Sequence, residues 1–280
     1  MKKIALVLSL VLIFLTGCSK AEKTDRLTVA VSIAPEKTFA EKVCGDKAEI
    51  ITMIPAGASA EKYEMSPKEI ATFNDSDIYF SIGVPAEKEG ILPHINKNTI
   101  LIDLTAPVAD AYPDLKIGSE RDPHIWLSPR RAVIMVKEIA RQMAALDPKN
   151  ADFYKNNAKS YINELKDLDL EIENKFKDKR RKTFFISHPS YGYFASDYGL
   201  EMIALEKHGK EVTPKELAEL TSLAKSINAT VIFCQEEISK KQAELLAKEI
   251  GSKVEILKPL SPDYIDSMRQ TTELILKAVN

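Results

Sequence analysis

An uninterrupted helical pattern at residues 147–180 constrains the fold of this chain more than any other stretch. Asp147 can cap a helix, and Pro148 suits the first helical turn, where its missing N–H costs nothing. A helix of about 32 residues is about 48 Å long, which exceeds the width of a small domain. One narrow face is apolar, through side chains at steps of three or four residues: Tyr154, Ala158, Tyr161, Leu165, Leu168, Ile172 and Phe176. We therefore expect a rigid connecting helix with a globular half on each side, rather than a solitary surface helix or a coiled coil.

Length and charge limit the class of protein. The chain has 280 residues, of which 45% are hydrophobic, so it can bury a core as one large or two modest domains. Its formal net charge is only −2, so nothing favours a nucleic-acid partner.

The N-terminus indicates export. Two lysines precede an apolar run at residues 4–15, which is too short to span a bilayer. The next residues complete the tetrapeptide LTGC, ending at Cys18, which resembles the bacterial lipobox and implies cleavage before Cys18 and acylation of its thiol. An ordinary signal peptide with an incidental cysteine is the alternative. We expect residues 1–17 to be a lipoprotein signal peptide and residues 18–26 a tether, anchoring the protein by lipid to the bacterial cell envelope, on the cell surface or the periplasmic side.

Strands alternate with helices on both sides of the connecting helix, a pattern typical of parallel sheets. It predicts an α/β protein with two (β/α) lobes, residues 27–146 and 181–280, whose mainly parallel sheets are bridged by the rigid helix 147–180. A ligand site is expected where the carboxyl ends of the strands face each other between the lobes. Apolar runs place the strands at 27–33, 48–54, 78–82, 100–104, 183–187, 200–205, 230–234 and 253–257.

A short repeat accompanies this pattern. SPKEIA at residues 66–71 recurs as TPKELA at residues 213–218, and each begins with a helix capping box. Duplication of a lobe and coincidence both explain the match. Cys44 and Cys234 end a helical and a strand pattern, and we expect them to be buried and unpaired, although the exported location would permit a disulfide.

Two of the four histidines lie in loops immediately after or between predicted strands. His124 lies in DPHIWLSP, residues 122–129, and His188 directly follows the strand 183–187. A lone histidine is usually structural, but one from each lobe at the strand ends favours a shared metal site. Asp122 could orient the His124 ring.

Four motifs in the chain resemble the zinc and manganese substrate-binding proteins of bacterial ABC importers. The resemblance covers nearly the whole mature chain in the right order, through GASAEKYE, DPHIWLSP, SHPSYGYFASDYGL and PLSPDYIDSMR. It implies two lobes bridged by a rigid helix, with a metal ion in the cleft. It also implies a monomer that captures the ion and delivers it to an ABC permease with its ATPase.

The resemblance carries over only partly to the ligand positions. His124 and His188 match the second and third ligands, and a histidine at the third favours zinc. Glu61 stands where the family has a first histidine ligand, with Tyr63 near it in the same loop. The implied set of Glu61, His124 and His188 suits Zn²⁺, while Mn²⁺ and Fe²⁺ are also acceptable to it.

Other positions depart from the family. Lys258 replaces an aspartate ligand, and Gln235 replaces a common glutamate. Lys258 either crowds the mouth of the cleft or pairs with Glu61 and competes with metal. His208 is a further candidate ligand, with a solvated loop histidine as its alternative.

The chain contains no nucleophile elbow and no P-loop, and nothing beyond a possible metal points to catalysis, so we do not expect an enzyme. The sequence predicts the substrate-binding lipoprotein of a metal-ion importer, with zinc as the favoured ion. The alternatives are a divergent protein of the same fold with a non-metal ligand, and a surface adhesin.

Overall fold

The computed structural model describes residues 26–179, 182–207 and 210–279. The predicted signal peptide, Cys18 with most of the predicted tether, and His208 lie outside the described residues. Within the described ranges, no helix is both long enough and apolar enough to cross a membrane.

The N-terminal lobe is built on a four-stranded parallel sheet in the order β2-β1-β3-β4. A short antiparallel ribbon, β5–β6, follows the sheet and leads to His124. The elements of this lobe are β1 (Leu27–Val31), α1 (Ala34–Cys44), β2 (Ala48–Thr52), α2 (Pro67–Asn74), β3 (Ile78–Ser81), β4 (Ile100–Asp103), α3 (Thr105–Ala111), β5 (Lys116–Ile117), β6 (Glu120–Arg121) and α4 (Pro129–Leu146).

The C-terminal lobe has the same sheet arrangement. Its four parallel strands lie in the order β8-β7-β11-β12, with a β9–β10 ribbon beside them. The elements, after α5 (Ala151–Phe176), are β7 (Thr183–Ile186), α6 (Gly192–Asp197), β8 (Glu201–Ala204), β9 (Glu206–Lys207), β10 (Lys210–Glu211), α7 (Pro214–Ser226), β11 (Val231–Gln235), α8 (Lys241–Ile250), β12 (Lys253–Leu257) and α9 (Tyr264–Ala278). The predicted α/β class with mainly parallel sheets is confirmed.

The connecting helix α5 is shorter than the predicted 147–180. It has 26 residues, a length of about 39 Å. The expected N-cap is wrong, because Asp147 ends α4 and its Oδ2 accepts hydrogen bonds from Tyr154 OH at 2.8 Å and Asn150 Nδ2 at 2.7 Å. Pro148 therefore lies in a separate 3₁₀ turn before α5.

The apolar face of α5 is buried throughout, as its periodicity predicts. The helix packs on α1, α4 and α9, so it contacts both lobes. One hydrophobic core runs from Val29 in the first sheet through Leu165 of α5 to Phe233 in the second sheet. Burial of this face, rather than helix propensity, holds α5 in place.

The predictions for the two capping boxes and the two cysteines are confirmed. Ser66 and Thr213 both form complete capping boxes, with Glu69 and Glu216 respectively. Cys44 and Cys234 are buried and free, as expected.

Candidate metal centre

Three candidate ligands meet between the lobes. Glu61 comes from the β2–α2 loop, His124 from the turn before α4, and His188 from the end of β7. All three line one cavity of about 30 Å³. That volume exceeds the roughly 10–15 Å³ that one water-sized guest needs, so the cavity has room for a single ion.

His124 is held in a defined orientation. Asp122 Oδ1 accepts a hydrogen bond from the His124 backbone N–H at 2.9 Å and lies 2.7 Å from the ring Nδ1. The Trp126 and His188 rings both pack near it, each with its centroid 5.3 Å from that of His124. Trp126 is itself fixed, because its Nε1–H donates to the Pro259 carbonyl at 2.8 Å. Asp122 thus leaves Nε2 of His124 as the ring nitrogen open to a ligand.

His188 lies between two carboxylates. Its Nδ1 is 2.7 Å from Glu206 Oε2, and its Nε2 is 3.0 Å from Glu61 Oε1. Burial by itself lowers the pKa of His188, but the hydrogen bonds with Glu206 and Glu61 outweigh it and raise the pKa to about 9. The hydrogen bond from His188 in turn lowers the pKa of the Glu61 carboxyl.

The ring nitrogen that a metal would need is therefore engaged by Glu61. In the part of the chain that the structure describes, no three His, Cys, Asp or Glu side chains already stand in an arrangement that could hold a metal ion. A metal bound at Nε2 of His188 has to replace the proton between that atom and Glu61.

Nearly all of the chain matches a known family. Residues 29–278 match the family described as "Zinc-uptake complex component A periplasmic" (ZnuA). The chain belongs to this family. Members of this family are substrate-binding components of transport systems and not enzymes. The predicted substrate-binding role and the prediction that the chain is not an enzyme are therefore confirmed. The periplasmic location in the family description agrees with the expected export.

Individual relatives agree. The high-affinity zinc uptake system protein ZnuA of Bacillus subtilis is 32% identical over 295 residues, which cover 93% of this chain and 90% of the relative. The zinc-binding lipoprotein AdcA of Streptococcus pneumoniae is 31% identical over 278 residues, and this chain spans only 56% of its length. A crystal structure of ZnuA superposes with a TM-score of 0.85 at 33% identity, covering 91% of this chain and 100% of that one.

Lys258 lies away from the candidate ligands. Its Nζ is 3.8 Å from Glu236 Oε2, and both side chains are more than half exposed. The expected alternative of a closed pair between Lys258 and Glu61 is therefore wrong, since Glu61 pairs with His188 instead. The physical reason is that the cavity is narrow and buried, whereas a lysine ammonium is cheaper to keep in water.

The remaining predicted residues have separate positions. Gln235 is buried in the cavity wall, and its Nε2 donates to Ser190 Oγ. Tyr63 OH donates to Glu69 Oε1 at 2.6 Å, so this side chain supports the start of α2 rather than lining the cavity. His208 cannot be located, since it lies outside the described residues.

Sequence reasoning missed two carboxylates at the site. Glu206 lies 2.7 Å from His188 Nδ1, and its position directly after the predicted strand 200–205 is the signal that could have found it. Glu237 lines the cavity with one carboxylate oxygen, Oε2, buried and without a hydrogen-bond partner. Burial raises the pKa of the Glu237 carboxyl.

A second, larger cavity adjoins the first. It has a volume of about 300 Å³ and shares Glu61 and Glu237 with the inner cavity. Because Glu206 and Glu211 also line it, we name it the acidic vestibule. Its four glutamates outnumber the one lysine in its wall, Lys62, so a cation entering the vestibule meets a net negative charge.

Proposed function

We propose that this chain is the zinc-binding component of a bacterial ABC importer. It captures Zn²⁺ between His124, His188 and Glu61, as cargo, and delivers the ion to a membrane permease driven by an ATPase. The observation that carries this proposal is the pair of buried histidines, one from each lobe, with ring centroids 5.3 Å apart. Each is oriented at Nδ1 by a carboxylate, the usual support of a zinc-binding imidazole.

The distances favour a small change on binding. Glu61 Oε1 and His188 Nε2 are 3.0 Å apart. Two ligands of one tetrahedral zinc ion lie about 3.3 Å apart, given bonds of about 2.0–2.1 Å. Zinc therefore replaces a proton between the same two atoms with a slight widening. Mn²⁺ and Fe²⁺ accept the same donors, so the set by itself favours no single metal among the three.

The proposal includes a lipid anchor. Cleavage before Cys18 and acylation of its thiol tether a monomer to the outer side of the bacterial membrane. The tetrapeptide LTGC and the lipoprotein name of AdcA support this part. Labelling with a radioactive fatty acid should mark the intact chain and not Cys18→Ala, which should be released from membranes.

Calorimetric titration with Zn²⁺ tests the site. His124→Ala and His188→Ala should each abolish tight binding, because each removes one of the two imidazole ligands of the proposed site. His94→Ala is the matched control, since His94 is an exposed histidine of the N-terminal lobe. Thermal melts of each variant, followed by circular dichroism, establish that it is folded.

The same experiment separates the alternatives. A protein with a non-metal ligand, or an adhesin that has lost transport, should carry no zinc after purification without chelator. Its residual zinc affinity should then be indifferent to both histidine changes. That combination would remove the proposed function.

A further inference from the structure

The candidate ligands leave one coordination position unfilled. Zinc sites in proteins are mostly four-coordinate, and His124, His188 and Glu61 supply three donors. Lys258 cannot donate to a metal while it is protonated, and it lies outside the cavity beside Glu236. Among the described residues, a fourth protein ligand has to come from another side chain in the cavity wall, or else water takes the position.

The other polar groups near the cavity are already engaged. Asp122 and Glu206 are each committed to the Nδ1 atom of a histidine. Gln235 donates to Ser190, and its amide oxygen is a weaker zinc donor than a carboxylate. Among the described residues that line the inner cavity, Glu237 is the carboxylate that remains besides Glu61.

Glu237 also carries an unmet requirement of its own. Its Oε2 is buried without a hydrogen-bond partner, a state that costs free energy unless an ion or water satisfies the atom. The side chain lines both the inner cavity and the acidic vestibule, so it lies at the junction between them. Its neighbour Glu236 is exposed and pairs with Lys258, so only one of these adjacent glutamates faces the site.

We propose that Glu237 supplies the fourth ligand to the zinc ion, in place of the aspartate that the Lys258 position lacks. This inference rests on the proposed function, because it needs His124 and His188 to bind the same ion. The bound ion satisfies Oε2 of Glu237 and closes the cavity towards the vestibule.

Zinc titration of three variants tests the inference, with a chromophoric chelator as competitor where binding is too tight for calorimetry. Glu237→Gln should weaken Zn²⁺ binding by more than about tenfold, the lower bound seen when a residue that only supports a ligand is lost. Glu236→Gln removes the same charge one residue away and should leave the affinity within about twofold. Glu237→His restores a donor without the charge, so it should bind at least about fivefold more tightly than Glu237→Gln, a difference well above the twofold scatter allowed for the control.

The outcomes are distinguishable. An affinity of Glu237→Gln within about twofold of the intact protein overturns the inference, and so do equal losses in Glu237→Gln and Glu236→Gln, which indicate a general charge effect. Failure of Glu237→His to recover affinity, in a folded variant, also overturns it. If His124→Ala binds zinc as tightly as the intact protein, the proposed function itself has failed.

Discussion

The two lobes share one topology but contribute differently to the site. Numbered within each lobe, both sheets have the strand order 2-1-3-4 with all strands parallel. In each lobe the helix that begins with a capping box, α2 or α7, lies between the second and third strands. The shared order and position favour duplication over coincidence for the SPKEIA and TPKELA repeat, since neither follows from a capping box alone.

The loops after the second strands show how the lobes have diverged. The long β2–α2 loop brings Glu61 to Nε2 of His188, whereas the short β9–β10 ribbon brings Glu206 to Nδ1 of the same ring. Equivalent positions thus place one carboxylate where a metal would bind and the other where it orients the ligand. Two lobes of the same topology thus perform different chemical tasks through loops that differ in length and sequence.

The cores of the lobes differ as well. The main core joins the N-terminal sheet, α5 and part of the C-terminal lobe. A separate, smaller cluster fills the outer layer of the C-terminal lobe, around Cys234 and Leu246. The N-terminal lobe is therefore continuous with the connecting helix, while the outer C-terminal layer packs mainly on itself.

Breaking the buried ion pair between the lobes should have the largest effect. Arg131 of α4 bonds Asp197 of α6 through two contacts of 2.8 and 2.9 Å, with both side chains less than a tenth exposed. Asp197→Ala leaves the Arg131 charge buried and unpaired. This should lower the free energy of unfolding, measured by urea titration, by about 3–5 kcal/mol. Lys225→Ala breaks an exposed pair with Glu249 inside the C-terminal lobe and should cost less than about 1 kcal/mol. Equal costs for the two variants would mean that the lobes are not joined through this pair.

The connecting helix should be nearly as sensitive. Leu165 is fully buried in the main core, so Leu165→Ala should lower the free energy of unfolding by about 2–5 kcal/mol. Leu170 lies on the same helix and is 56% exposed, so Leu170→Ala should change the free energy of unfolding by less than about 0.5 kcal/mol. Fluorescence of the single tryptophan, Trp126, and circular dichroism should report one shared transition for both variants. Two separate transitions would contradict a core continuous through both lobes.

Removing the charge of Glu206 sharpens the comparison of the two loops. Glu206→Gln weakens the hold on His188 Nδ1, and zinc affinity should fall about 10–100-fold, or roughly 1.4–2.7 kcal/mol. Glu211→Gln removes a charge from the same vestibule without touching His188, so its affinity should stay close to that of the intact protein. A loss shared equally by both variants would assign the effect to the vestibule field and not to the orientation of the ring.

The N-terminal lobe should show a pH dependence of stability. Glu36 is fully buried and accepts a hydrogen bond from Ser32 N–H at 2.7 Å. The Ser32 hydroxyl donates to Glu87 Oε1. Burial, followed by the nearby Glu87 charge, raises the pKa of Glu36 well above its ordinary value. The folded state therefore keeps a proton that the unfolded state releases. The stability that this proton contributes is complete below the pKa of Glu36 in the unfolded chain, about 4.3. It is lost as the pH rises through the raised pKa of Glu36 in the folded state.

Urea unfolding between pH 5 and pH 8 measures this dependence. Between the pKa values of Glu36 in the unfolded and folded states, the free energy of unfolding of the intact protein should fall more steeply with pH than that of Glu36→Gln. The difference should reach up to about 1.4 kcal/mol per pH unit, because glutamine has no proton to release. Parallel pH profiles for the two proteins would show that Glu36 is already ionised when folded.

Much of the fold could be predicted because its signals are local. Apolar runs that alternate with helical patterns predict all eight strands of the two four-stranded sheets that the structure describes. The periodicity of α5 predicts its buried face. The capping boxes at Ser66 and Thr213 form as expected, since all their groups lie within four residues. His124 and His188 stood out because each directly follows or precedes a recognisable element.

The tertiary structure decided the contacts of the site. Asp147 is close in sequence to α5, yet Tyr154 draws it away from the capping position. Glu61 and His188 lie 127 positions apart, and only the sheet order and loop packing bring their atoms to 3.0 Å. The outward turn of Lys258 and the inward turn of Glu237 depend in the same way on the surrounding walls. Residue identity determines which chemistry is available along the chain, whereas burial and long-range packing determine which side chains meet, because those energies arise from neighbours that local sequence does not specify.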